Sequence, residues 1–177
     1  VPKVLQNLNL IRFQKEQKTE ALGDKKEIEK HFPKTYGRSV IHAIKGEGRL
    51  NQPLKVGVVL SGGQAAGGHN VIAALFDTLK SFHHESVLYG FLNGPKGVVD
   101  GVFETLSEDR ISHFRNIGGF DLIGSGRTKI ETEEQLYKSM NVFLKMRLDG
   151  LVVIGGDDSN TNAALLAEYC LAKGCPT

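Results

Sequence analysis

At 177 residues and 19.3 kDa the chain is about one domain long, and 40% hydrophobic with 24% charged residues is an ordinary globular balance. No apolar run is long enough to cross a bilayer, no compact apolar block opens the chain as in a secretory signal, and two cysteines, Cys170 and Cys175, are too few for a disulfide framework. These features predict a reducing, cytoplasmic setting and argue against a membrane partner.

The net charge of +2 hides an asymmetry: residues 1–50 carry 11 Lys and Arg against 6 Asp and Glu, while residues 51–177 carry 11 against 14. A basic arm can touch nucleic acid, but no clustered basic run or aromatic stacking pair accompanies it, so nucleic acid is set aside. A solvated extension, or one lying on a partner subunit, fits better. Residues 1–52 therefore read as an N-terminal extension. Within it Asp24 is placed to cap a short helix over Lys25–Lys30, with Pro33 soon after its end. Gly46 to Pro53 reads as a linker.

From residue 53 onward the pattern alternates between strand and helix. Val56 to Leu60 is an apolar run broken only by Gly57, as expected for a strand covered on both faces. Val71, Leu75, Leu79 and Phe82 follow at helical spacing. Val87–Leu92 and Phe120–Ile123 are further strand candidates. Leu136, Met140, Phe143 and Leu144 form another helical stripe before the clearest strand, Leu151–Ile154. Ala163, Ala167, Cys170 and Leu171 line one side of a last helix. Such alternation predicts an α/β fold, a mainly parallel sheet flanked by helices, with ligands bound beyond the carboxyl ends of the strands.

Three loops at those strand ends carry the candidate chemistry. In "SGGQAAGGHN", residues 61–70, Gly62, Gly63, Gly67 and Gly68 remove Cβ atoms that would hold a ligand away from the backbone. The next helix brings unpaired N–H groups and its positive end, which favour phosphate. A tight turn alone would need one glycine. No lysine follows Gly68, so this is not a Walker loop; the Rossmann glycine spacing and its ribose carboxylate are missing too. In "GSGRTK", residues 124–129, Arg127 suits a phosphoryl clamp, and equally a surface ion pair before the helix start at Glu131–Glu134. In "GGDDSN", residues 155–160, Asp157 suits Mg2+, which takes one or two carboxylates plus waters and phosphate oxygens. A helix cap accounts for one aspartate but not for the adjacent pair. His69, His83, His84 and His113 have no metal spacing and read as packed or solvated. Asn93–Gly97 reads either as a border of the same site or as a plain turn.

Taken in order, "GVVLSGGQAAGGHN", "GGFDLIGSGRTKIET" and "LDGLVVIGGDDSNTNAALLAEY" closely resemble the pyrophosphate-dependent 6-phosphofructokinases of the long eukaryotic and plant-like type, over residues 54–177. "EIEKHFPKTYG", residues 27–37, is similar to that group's N-terminal extension. The resemblance implies the front part of a phosphofructokinase-type fold and reversible transfer from pyrophosphate to fructose 6-phosphate, with Mg2+ as cofactor. It implies that Gly62, Gly63 and Arg127 hold pyrophosphate, that Arg127 also stabilises the moving charge, and that Asp157 binds Mg2+. Asp158 stands where ATP-using relatives have glycine, and its carboxylate would repel a nucleotide α-phosphate. Unit charges about 4 Å apart at an effective dielectric near 20 repel by roughly 4 kcal/mol.

The related loop commonly has proline where Ala66 stands. The family's catalytic aspartate, the lysine before it and most sugar contacts are expected beyond Thr177. No residue here matches the general base, and these 177 residues alone are expected to be inactive and to associate through uncovered apolar surface. A homo- or hetero-oligomer is expected. An ATP-dependent enzyme and a non-catalytic regulatory subunit of the same family are the alternatives. Intact SGGQ and GGDDSN loops favour the catalytic type.

Overall fold

A computed structural model describes residues 3, 10–46, 52–63 and 66–177, and the chain divides into two compact units, residues 1–52 and 53–177. In the first unit, strands β1 (Ile11–Lys18) and β2 (Ser39–Lys45) pair antiparallel, and helix α1 (Lys25–His31) lies between them in sequence. The sequence reading found α1 but missed both strands. The reason is that β1 buries almost nothing, with Phe13 74% exposed, so it lacks the inward-facing apolar pattern that betrays a strand. Asp24 precedes α1 in a left-handed conformation without a side-chain cap bond, contrary to expectation; its carbonyl accepts the N–H groups of Glu27 and Ile28. Most of the expected linker, residues 47–51, lies outside the described residues.

The second unit is built on β3 (Lys55–Ser61). It pairs in parallel with β4 (Val87–Phe91), with β7 (Gly150–Ile154) and, through Leu60 and Ser61, with the two-residue β6 (Ser125–Gly126). Only β5 (Phe103–Thr105) runs antiparallel, on the outer side of β4. Successive side chains of β3 point to opposite faces, and both faces are covered. Val58 and Leu60 join a core with Ile72, Phe76 and Leu79 of α2 (Gly68–Phe82) and Ile111 of α4 (Glu108–Ser112). Val59 joins the opposite core with Val98 of α3 (Pro95–Asp100), Phe143 of α5 (Glu133–Met146) and Leu166 of α6 (Asp157–Ala172). The expected α/β architecture is present.

Several local readings change. Phe120–Ile123 is a turn rather than a strand. Leu122 and Ile123 are nevertheless buried, filling the α2-side core from a turn. On α2 the buried face centres on Ile72, Ala73, Phe76 and Leu79, while Val71 of the expected stripe is exposed. Leu144 and Leu171 are also exposed, and the inner face of α6 runs through Ser159, Leu166 and Cys170 instead of Ala167. Cys170 and Cys175 are free and buried, and loss of solvation pushes the Cys170 thiol up to about 12. Cys170 is thus packing, not a nucleophile.

The histidines are structural. His83 and His84 fall beyond the end of α2 and stack on each other. His69 is 1% exposed and bridges two strands of loop: its Nε2 accepts the Leu122 N–H at 3.0 Å, which leaves Nδ1 to donate to the Ile117 carbonyl at 3.2 Å. It thereby holds the turn that leads into residues 124–129. Replacing His69 by Ala leaves a buried donor and acceptor unpaired and opens a cavity. The expected loss is roughly 2–4 kcal/mol in urea unfolding. A loss below about 0.5 kcal/mol, the scale of an ordinary surface change, would contradict the bridging role.

Candidate functional site

The carboxyl ends of β3 and β7 and the loop after β6 enclose a cleft of about 500 Å³. Gly62 and Gly63 line it from the first loop, Arg127, Thr128 and Lys129 from the second, and Gly156, Asp157, Asp158, Ser159 and Asn162 from the third. All five residues singled out from the sequence, Gly62, Gly63, Arg127, Asp157 and Asp158, therefore meet in one place.

Each loop is shaped by a local requirement. Gly62 has φ +106°, a conformation that side chains resist, and its N–H donates to the Gly126 carbonyl at 2.8 Å. At Gly63 an added Cβ would lie 3.2 Å from an Arg127 guanidinium nitrogen, so its bare backbone gives the guanidinium room. Gly67 and Gly68 behave otherwise. They do not line the cleft; His69 N–H at the start of α2 donates to the Gly119 carbonyl, and a Cβ on Gly68 would press on that same oxygen. One N–H of the first turn of α2 is thus spent on a contact within the protein. Gln64 and Ala65 lie outside the described residues.

The helix end that does face the cleft is that of α6. Gly156 is its N-cap and no side chain caps it, so neither aspartate is a cap. Asp157 and Asp158 are exposed in its first turn. The helix dipole favours carboxylates there by roughly 0.3–1 kcal/mol each, which offsets part of their mutual repulsion. An ion pair does form in the second loop, but between Lys129 and Glu131 at 3.9 Å, both largely exposed. Arg127 makes no ion pair among the described residues, and the surface-pair reading of it falls. Asn93 and Gly94 do not border the cleft; they lead into α3, and a Cβ on Gly94 would collide with the Gly126 backbone, so they support the second loop from behind.

Sequence reasoning missed the polar side chains that join the loops. Ser159 Oγ reaches from α6 to the end of β3, within 3.2 Å of the Ser61 carbonyl and 2.9 Å of its hydroxyl. One turn later, Asn162 accepts the Ile130 N–H at 2.9 Å and donates to the Ile130 carbonyl at 2.7 Å. The available signal was an unbroken polar run from Asp157 to Asn162 opening a helix. Among the described residues no group of three or more His, Cys, Asp or Glu could hold a metal, and no helix is long and apolar enough to cross a membrane. A cation here would rest on one or two carboxylates, a donor set that fits Mg2+ because Mg2+ keeps waters and takes phosphate oxygens.

Residues 55–175 match the family described as phosphofructokinase. The chain belongs to the phosphofructokinase family. It is 50% identical over 169 residues to the pyrophosphate–fructose 6-phosphate 1-phosphotransferase of Treponema pallidum, covering 90% of this chain and 30% of that protein. It is 51% identical over 166 residues to the beta subunit of the Solanum tuberosum enzyme of that name, covering 88% of this chain and 29% of the relative. The chain thus spans about 30% of the length of these curated relatives. The phosphofructokinase of Saccharomyces cerevisiae superposes with a TM-score of 0.60 at 27% identity, over 70% of this chain and 16% of that one.

A Cβ on Gly155 would overlap the Ser61 carbonyl and the Ser159 side chain, whereas one on Gly156 meets nothing within 4 Å. Gly155→Ala is expected to destabilise by about 1–3 kcal/mol. Gly156→Ala is expected to cost under about 1 kcal/mol, as for a modest change at a helix end. Thermal and urea unfolding of both variants checks this. Equal losses would mean that α6 is not held against β3 by this contact.

Proposed function

We propose that the protein containing this chain transfers a phosphoryl group reversibly between pyrophosphate and fructose 6-phosphate, and that this cleft is its donor site. The observation that carries the proposal is the meeting of Gly62, Gly63, Arg127, Asp157 and Asp158 in one cleft, in a chain half identical to relatives named for that reaction. In the forward direction a sugar hydroxyl oxygen bonds to the terminal phosphorus of pyrophosphate. The bridging P–O bond breaks, phosphate leaves with the electron pair, and the hydroxyl proton passes to a base.

No residue of this chain is assigned as that base. The chain's own contribution is to hold the donor and accommodate its charge. Gly62 and Gly63 let the pyrophosphate approach the backbone, and the planar guanidinium of Arg127 pairs with phosphoryl oxygens as charge shifts between donor and acceptor. Asp157 would hold Mg2+ against the donor, and Mg2+ would neutralise phosphate charge. Asp158, one residue further into the helix, excludes a donor with an additional phosphate and nucleoside. The potato relative is named as a subunit, which supports an assembly of like or related chains. The two buried free thiols suit a cytoplasmic setting.

Kinetics of the full-length protein with each donor test the two aspartates separately. Asp158→Gly is expected to raise kcat/KM for ATP by roughly tenfold or more, the scale of 1.4 kcal/mol, and to weaken the preference for pyrophosphate. An unchanged donor ratio would remove Asp158 from donor selection. Asp157→Ala is expected to lower turnover by about 100-fold or more with little change in melting temperature, because its side chain is exposed and caps nothing. Normal Mg2+-dependent turnover in that variant would refute its metal role. A parent that turns over ATP and not pyrophosphate would favour the ATP-dependent reading.

A further inference from the structure

Arg127 and Lys129 lie on a short span of chain whose two ends are anchored differently. Upstream, Ser125 and Gly126 pair with Leu60 and Ser61 as β6, and Gly126 also accepts the Gly62 N–H. Downstream, the Ile130 side chain is 4% exposed in the core beside Leu166, and both polar groups of its backbone bond to Asn162. Residues 127–129 bridge these anchors, and among the described residues their side chains make one ion pair, the exposed Lys129–Glu131 pair. Such a pair contributes roughly 0–1 kcal/mol and does little to fix a backbone.

We infer that Asn162 is a positioning residue for the donor site, setting the orientation of the Ile130 peptide groups and, through them, where Arg127 presents its guanidinium beside Gly63. The inference rests on the pyrophosphate reading above. Its chemistry is particular to a carboxamide. Only a side chain with one acceptor and one donor side by side can satisfy the N–H and the carbonyl of the same residue. Ile130's apolar side chain fixes the depth of the loop, but it cannot choose the direction of the adjoining peptides. The bond also ties the cation-bearing loop to α6, the helix that carries Asp157 and Asp158, so opposite charges on the two walls of the cleft keep a fixed relation. Asn162 lies one turn beyond these carboxylates and is half-buried at the cleft's edge.

A double-mutant cycle in the full-length protein separates this role from plain stabilisation. Asn162→Ala is expected to lower kcat/KM for pyrophosphate on the order of 10–100-fold, the scale of a small misplacement of a catalytic group, while KM for fructose 6-phosphate stays within about twofold. Because Asn162 acts through Arg127, adding Asn162→Ala to Arg127→Ala is expected to lower kcat/KM by no more than about threefold further. Asn162→Asp keeps the acceptor for the Ile130 N–H but turns a carboxylate oxygen toward the Ile130 carbonyl. It is expected to lose as much as the alanine variant, and it takes the alanine variant's place in the cycle if that protein does not fold. Fully multiplicative losses, or an Asn162→Ala enzyme within twofold of the parent, would overturn the inference while leaving the pyrophosphate reaction standing. A folded parent without pyrophosphate turnover would overturn both.

Discussion

The cleft depends on one helix end reaching two other loops with its own short polar side chains. Ser159 bonds to Ser61 at the tip of β3, and Asn162 clamps the backbone of Ile130. A helix start normally satisfies its orphan N–H groups with a capping side chain. Here Gly156 occupies the cap position and supplies none, so the polar residues of the first two turns are spent on tertiary contacts and on the cleft itself. The close approach is possible because Gly155 has no Cβ to strike Ser61. These contacts fix the loops relative to one another, which is what the proposed phosphoryl transfer would ask of them, since that chemistry rests mainly on positioning and electrostatics.

Charge is distributed around that frame with little internal cancellation. Arg127 points at the glycine loop, and its fork is not consumed by a carboxylate among the described residues. At the α2–α4 surface, by contrast, one arginine is paired twice. Arg115 takes Asp77 and Glu108 together, and the hydrogen bond from Arg115 holds the Asp77 carboxyl below the usual range. The contrast between a satisfied arginine at the α2–α4 surface and an uncommitted one in the cleft fits a site prepared for an anionic ligand. The adjacent aspartates are tolerable because the helix end favours negative charge and both face solvent.

Much of this was legible in the sequence, for identifiable reasons. The β3 and β7 runs, Val56–Leu60 and Leu151–Ile154, are buried on both faces and so read as continuous apolar stretches. The glycine and acidic loops stood out because residues of that kind are costly without a purpose at a strand end. What escaped notice was whatever lacked a periodic apolar signature. β6 is two residues, held by backbone bonds and by the Ser125 hydroxyl donating to the Gly62 carbonyl, and β1 exposes nearly its whole length. Phe120–Ile123 looked like a strand because three of its four residues are apolar, yet it is a turn whose Leu122 N–H is taken by His69, 53 positions earlier in the chain. Ser159 and Asn162 were invisible because a serine or asparagine reveals its partner only once the chain is folded. Gly68 shows another use of a glycine, since its missing Cβ leaves room for the Gly119 carbonyl, whereas a Cβ on Gly67 would meet nothing within 4 Å.

The central claim is that pyrophosphate lies between the Gly62–Gly63 loop and Arg127, with its metal at Asp157. A crystal structure of the full-length protein soaked with Mg2+ and imidodiphosphate, a non-hydrolysable analogue, tests it most directly. The account predicts one analogue molecule in this cleft, bonded to the Gly62–Gly63 backbone and the Arg127 guanidinium, with Mg2+ coordinated by Asp157 and the Asn162–Ile130 bonds intact. An analogue bound elsewhere, or bound here with Arg127 and Asp157 both turned away from it, would contradict the account.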